Sequence, residues 1–181
     1  MNPWRNRLIG LALAAVLFVA DQWVKWAVQG PLQLTHERDR MDILPFFALT
    51  RTHNFGVSLG LFTANSVEGR VALIALTGLI ATVVIVWLLR ERKLADIVPL
   101  GMILGGALGN IRDRVMNGYV LDYADLHFGE FRPFLIFNVA DAMITLGVLI
   151  ILARALFMRE KPPAPQGDEL ADQPAENSSN A

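Results

Sequence analysis

The chain has 181 residues, of which 54% are apolar and 18% charged, with a mean hydropathy of +0.41. Soluble domains carry about 25% charged residues, so this length reads as about four membrane spans with short connections rather than one water-soluble domain. A net charge of −1 offers no field for nucleic acid, and the absence of cysteine excludes disulfides, thiolate metal sites, thiol catalysis and cysteine lipidation.

Residues 8–28 form the first apolar stretch, interrupted by Asp21 and Lys25. A leader cleaved after Ala20 would put Phe18 where a small residue is required, and apolar character resumes past Asp21, so a retained span is expected. Residues 30–62 mix Pro31 and Pro45 with short polar–apolar alternation, which predicts strands or an extended cap on the outer membrane surface. Residues 71–89 contain no charge and suffice to cross a ~30 Å hydrocarbon core. A third span is expected over 97–114, charge-free as far as Ile111, and a fourth over 134–157 with Asp141 inside it. Residues 112–133 link these two, with turn points at Asn117-Gly118 and Gly129. The Pro-, acid- and Ser/Asn-rich tail 161–181 is expected to be disordered and cytoplasmic.

The expected fold is therefore an all-α membrane protein, residues 1–160, with four transmembrane helices and a small extended or β segment on the outer surface. Dense basic segments (Arg5 and Arg7; Arg90, Arg92 and Lys93; Arg154, Arg159 and Lys161) fall on one side, which predicts both termini in the cytoplasm. The opposite side carries as many basic residues, Arg38, Arg40, Arg51 and Arg70 among them, but in longer loops mixed with acids. Trp4, Trp23, Trp26 and Trp87 suit interfacial belts.

An ionisable group at membrane depth costs at least ~2.5 kcal/mol on insertion scales, so such groups mark function or pair with one another. Asp21 and Lys25, four apart, share a helix face and read first as an ion pair supporting a polar site. Asn54 and Gly56, taken alone, read as turn residues. Asn110, Asp113 and Arg114 form one polar helix face at the membrane boundary, preceded by the small residues Gly105, Gly106, Ala107 and Gly109. No Gly-Lys-Ser/Thr follows those glycines, so they are not a phosphate loop. Asn138 and Asp141 are three apart, and Asp122 and Asp125 lie in the preceding segment. A carboxylate in an apolar span with a second acid delivered beside it suggests a two-carboxylate site sharing a proton, one acid activating water and the other protonating a carbonyl. An isolated buried acid, kept protonated or bonded to Asn138, fits the same residues. His36, His53 and His127 have no metal-ligand spacing, and neither a metal nor a cofactor is expected.

In order, these pieces resemble the bacterial lipoprotein signal peptidases (signal peptidase II). The resemblance runs from about Asp21 to Asp141. Its specific parts are Gly105-Gly106-Ala107-Leu108-Gly109-Asn110-Ile111-Arg112-Asp113-Arg114, Gly118-Tyr119-Val120-Leu121-Asp122-Tyr123 and Phe137-Asn138-Val139-Ala140-Asp141, with Asp21…Lys25 and Asn54-x-Gly56 in support. It implies an aspartic endopeptidase of the inner membrane, active near the periplasmic face, that cuts diacylglyceryl-modified prolipoproteins on the amino side of the lipidated cysteine. It further implies Asp122 and Asp141 as the catalytic pair, Asn54, Gly56, Asn110, Arg114 and Asn138 as the substrate-binding shell, and Asp21 and Lys25 as its support. Membrane lipid and prolipoprotein are the implied partners, with no nucleic acid and no obligate protein partner. The family's extended segment after span one is a small surface sheet, in line with residues 30–62. Two positions depart from the pattern: Val57-Ser58-Leu59-Gly60 replaces a run of small residues and a phenylalanine, and Ala142 replaces a serine. The rival is a small proton- or ion-coupled transporter relaying through Asp21, Lys25 and Asp141, against which the lack of an internal repeat weighs. A presenilin- or prepilin-type peptidase would need Gly-x-Gly-Asp, which is absent.

Overall fold

The computed structural model describes residues 3–56 and 67–157. Four of its helices are long and apolar enough to span a membrane: α1 (Pro3–Gln29), α2 (Val67–Arg90), α3 (Leu94–Asn117) and α4 (Val139–Phe157). Half of the apolar stretch of α3 is buried inside the protein, against 22% for α1 and α2 and 11% for α4, so α3 is the central helix. It packs on all three others, while α2 and α4 share no comparable interface. The remaining helix faces are apolar and outward, with Val16, Leu79, Val83, Leu149 and Leu156 exposed, as a hydrocarbon solvent requires.

Small residues explain how closely α3 is approached. A Cβ at Gly105 would lie 2.6 Å from the Ala14 carbonyl of α1, and one at Gly106 would lie 2.5 Å from the Ala140 carbonyl of α4. The adjacent glycines thus serve opposite neighbours, the usual role of small residues between membrane helices. Leu88, Ile97, Leu100 and Leu104 fill the space between α1, α2 and α3.

At the end of the bundle where α1 stops and α4 starts, β1 (Arg40–Leu44), β2 (Phe47–Asn54) and β3 (Val120–Leu126) form an antiparallel sheet in that order. The β1–β2 hairpin turns at Pro45-Phe46, with Leu44 opposite Phe47. Between Leu49 and Thr52 the register against β3 slips by a bulge, after which Thr52 faces Asp122 and Asn54 faces Val120. Val28, Leu34, Leu121, Tyr123 and Ala124 pack the sheet onto the C-terminal end of α1. The strands within 30–62 agree with expectation as far as Gly56; residues 57–62 and the tail 161–181 lie outside the described residues.

Three expectations are corrected. The link 112–133 holds a strand, β3, which shows no alternation because six of its seven residues are buried. The fourth helix starts at Val139 rather than near 134. Phe137 is extended instead, exchanging backbone hydrogen bonds with Ala124 at 2.7 and 3.1 Å, which commits its backbone to the sheet. Helix α3 also continues past Arg114 to Asn117 and stops at Gly118, whose φ of 84° is the left-handed conformation glycine adopts freely.

Candidate active site

Asn138 caps α4, and Asp141 occupies the third position of that helix. Asn138 Oδ1 accepts the Asp141 N–H at 2.9 Å, and Asp141 Oδ2 accepts the Asn138 N–H at 3.4 Å, a reciprocal capping box. The two N–H groups between them are met from elsewhere. The Tyr123 hydroxyl accepts from Val139 at 3.3 Å, and Asp21 Oδ1 accepts from Ala140 at 3.0 Å. Every leading donor of α4 is thereby satisfied by a side chain, where hydrocarbon offers no partner.

The same asparagine reaches the second acid. Asn138 Nδ2 donates to Asp122 Oδ1 at 2.6 Å, and it also approaches the Leu121 carbonyl and Asn110 Oδ1. Asn54, diagonal to Asp122 across the sheet, donates to Asp122 Oδ2 at 3.0 Å and accepts the Gly56 N–H through its Oδ1. Asn110 Nδ2 donates to Asp141 Oδ1 at 2.8 Å. Burial, and then the Asp141 charge, push Asp122 up to about 7, against the opposing pull of the Asn54 and Asn138 amides. Burial likewise raises the Tyr123 phenol. Arg114 completes the group: Nη2 donates to the Gly56 carbonyl at 3.0 Å, while the buried Nε has no partner among the described residues. Asn54, Asn110, Arg114 and Asp141 line a cleft of about 250 Å³, walled by apolar side chains of α2, α3 and α4 such as Leu73, Ile103 and Ile144.

Behind this group lies a charge cluster that ties the helices together. Lys25 Nζ is 2.8 Å from both Asp21 Oδ2 and Asp113 Oδ2, and all three side chains are buried. Gln22 Nε2 donates to Asp21 and Asp113 at 3.0 Å each, and Asp113 Oδ2 accepts the Leu121 N–H of β3. Gly109 makes room for the cluster, since a Cβ there would lie 2.5 Å from Asp21 Oδ2. Asp125 is engaged elsewhere: Arg40, Arg132 and Thr50 donate to it at 3.1–3.2 Å. Burial works against its charge, but the Arg132 and Thr50 bonds and the two guanidiniums outweigh it and hold its carboxyl below the ordinary value.

Residues 13–157 match the family described as signal peptidase (SPase) II. The chain belongs to that family. It is similar to the lipoprotein signal peptidase of Sphingopyxis alaskensis, 51% identical over 84% of this chain and 87% of that one, and to its counterpart in Rhizorhabdus wittichii, 48% identical over 90% and 95%. A solved bacterial membrane enzyme superposes with a TM-score of 0.71 at 25% identity, covering 85% of this chain and 93% of its own.

A signal peptidase II is a protease of the aspartic class, and membership sets the transporter reading aside. Within this signal peptidase fold, all nine expected residues gather in one region: Asp122, Asp141, Asn54, Gly56, Asn110, Arg114 and Asn138 form one network, and Asp21 and Lys25 join it through Ala140. Sequence reading reached Asp113 and Tyr123 only as members of a polar helix face or of a motif, without a role for either, and it missed Gln22 altogether. The i, i+3 spacing to Asn110 was a signal for Asp113. Gln22 had none, because its partners apart from the adjacent Asp21 lie on α3, and the Tyr123 hydroxyl reaches α4, which no local spacing reports.

Proposed function

We propose that this signal peptidase II removes signal peptides from diacylglyceryl-modified prolipoproteins, cutting on the amino side of the lipidated cysteine with water activated between Asp122 and Asp141. The observation that supports the pairing most is Asn138, whose amide donates to Asp122 while its carbonyl oxygen caps Asp141. Asp122, buried and without a cation in contact among the described residues, holds the proton and gives it to the scissile carbonyl. Asp141, at the start of α4 with the Asn138 N–H and the Asn110 amide on its oxygens, carries the charge and takes a proton from water. The tetrahedral intermediate collapses when the departing amine is protonated by the acid that took the water proton.

The cleft between α2 and α4 accepts the signal peptide from the side. Once its helix unwinds, the freed backbone groups need partners that hydrocarbon cannot supply; the Arg114 Nε and the Asn54 and Asn110 amides provide them. The two acyl chains stay in lipid beside the bundle and set the register, each buried CH₂ contributing ~0.8 kcal/mol. In the bacterial inner membrane, with both termini cytoplasmic, this region lies at the periplasmic boundary.

The test is a gel-shift assay on a diacylglyceryl-modified prolipoprotein in vesicles. Asp122→Asn and Asp141→Asn are each expected to lose at least about 10³-fold in rate, given the scale of losses when one member of a catalytic unit is removed. Asp125→Asn keeps most activity and costs about 1–2 kcal/mol of stability from its lost hydrogen bonds. An inactive Asp125→Asn beside an active Asp122→Asn would reassign the pair.

A further inference from the structure

His53 sits one residue before Asn54, on the opposite face of β2 from the acids, inside its own ring of paired groups. His53 Nδ1 is 2.9 Å from Glu37 Oε2, and the His53 backbone N–H donates to Glu37 Oε1 at 3.3 Å. Arg51 Nε donates to His53 Nε2 at 3.2 Å. The imidazole lies against Tyr119, ring centroids 3.9 Å apart. Arg51 offers only N–H groups, so Nε2 is the acceptor and Nδ1 carries the hydrogen toward Glu37. One neutral tautomer satisfies both neighbours.

Arg51 is not free to retreat. It is buried, with Nη1 on the Leu34 carbonyl at 2.8 Å and Nη2 on the Tyr119 hydroxyl at 3.3 Å. A proton on Nε2 would oppose two donors and two positive charges across that 3.2 Å contact. The ring and the end of β2 must then move, and Asn54 is the next residue in the chain.

We infer that neutral His53 is a positioning residue, holding the end of β2 so that Asn54 meets Asp122, and that its protonation withdraws Asn54 and slows cleavage. The groups facing the ring are Glu37 from the turn before β1, Arg51 from β2, and Tyr119 from the link between α3 and β3. Burial first, then Arg51, keep the His53 pKa below its ordinary value, against the attraction of Glu37. The neutral form is therefore complete near neutral pH and is lost as pH falls below the ordinary histidine range. The inference rests on Asp122 being a catalytic acid.

The test measures processing of a diacylglyceryl-modified prolipoprotein in vesicles from about pH 5 to about pH 7.5, for wild type, His53→Gln and Glu37→Gln. The ratio of the His53→Gln rate to the wild-type rate cancels the titration of the acids, which both proteins share. That ratio is expected to rise roughly 3- to 10-fold on going from pH 7.5 to pH 5, in kcat rather than KM. Glu37→Gln, which removes the carboxylate favouring the cation, shifts the wild-type decline to lower pH. A ratio flat with pH, at whatever level, overturns the inference and leaves His53 a purely structural role. A ring ¹⁵N spectrum of the detergent-solubilised wild type supplies a check independent of the variants: an Nε2–H tautomer at pH 7.5 also overturns it. Retained processing in Asp122→Asn would instead sink the dyad itself, so the two failures are separable.

Discussion

Burial in β3 and the neighbouring Asp141 charge lift Asp122 to about 7, whereas an exposed aspartate is fully ionised well below that. If Asp122 must hold a proton to protonate the scissile carbonyl, kcat/KM falls as pH rises through about 7, tending to tenfold per pH unit above it. A pH–rate profile on the lipidated substrate reads this directly, and a rate level between pH 6 and 9 contradicts it. The linkage to stability has a definite sign. The unfolded chain ionises Asp122 near the ordinary 3.8 and the folded chain only near 7, so this group makes the fold less stable as pH rises between those limits. Asp122→Asn sets an amide N–H against a donor at every pH, so the pH dependence is what reports the titration: the Tm of wild type minus that of Asp122→Asn is expected to fall from about pH 5 to about pH 8. A difference that stays level or grows over that range would mean that the ionised carboxylate is what the two amides hold.

At the scale of elements, the start of α4 performs two tasks with one residue. Asn138 closes the helix through Oδ1 and holds Asp122 through Nδ2, and these tasks separate on substitution. Serine caps a helix nearly as well as asparagine but is too short to bridge to Asp122. Asn138→Ser should therefore stay within about 1 kcal/mol of wild-type stability while losing activity by about 100-fold, the scale for one removed donor at a reacting centre. Equal retention of both would make Asn138 a cap and nothing more. The same region shows which elements were legible beforehand. Helix α2 was plain from a charge-free run of apolar residues. Strand β3 was hidden because Val120 to Ala124 are buried on both faces, which erases the period of two. The start of α4 was misplaced because Leu135, Ile136 and Phe137 are apolar, yet Phe137 spends its backbone on Ala124.

At the scale of the whole molecule, two of the buried cations among the described residues, Lys25 and Arg114, face the four carboxyls of the site and its support, Asp21, Asp113, Asp122 and Asp141, while the buried Arg51 lies on the other face of β2. A proton on Asp122 reduces that excess of negative charge. The chain order concealed this balance: Asp21 and Lys25 were legible as a pair, but Asp113 joins them from 88 residues beyond Lys25, and no local spacing reports such a contact. Lys25 thus compensates two carboxylates on different helices, and removing it leaves both buried without their cation. Lys25→Met is expected to cost about 3–5 kcal/mol, the range for breaking a buried ion pair on one side. Activity should fall with it, since Asp21 also holds the Ala140 N–H at the start of α4. Adding Asp113→Asn removes one of the two stranded charges, so the double variant should melt above Lys25→Met alone. Melting temperatures of the four proteins in one detergent give the cycle. If the double variant were instead the sum of two independent losses, Lys25 would be acting on Asp21 alone, and the coupling of α1 to α3 would come from glycine packing rather than from charge.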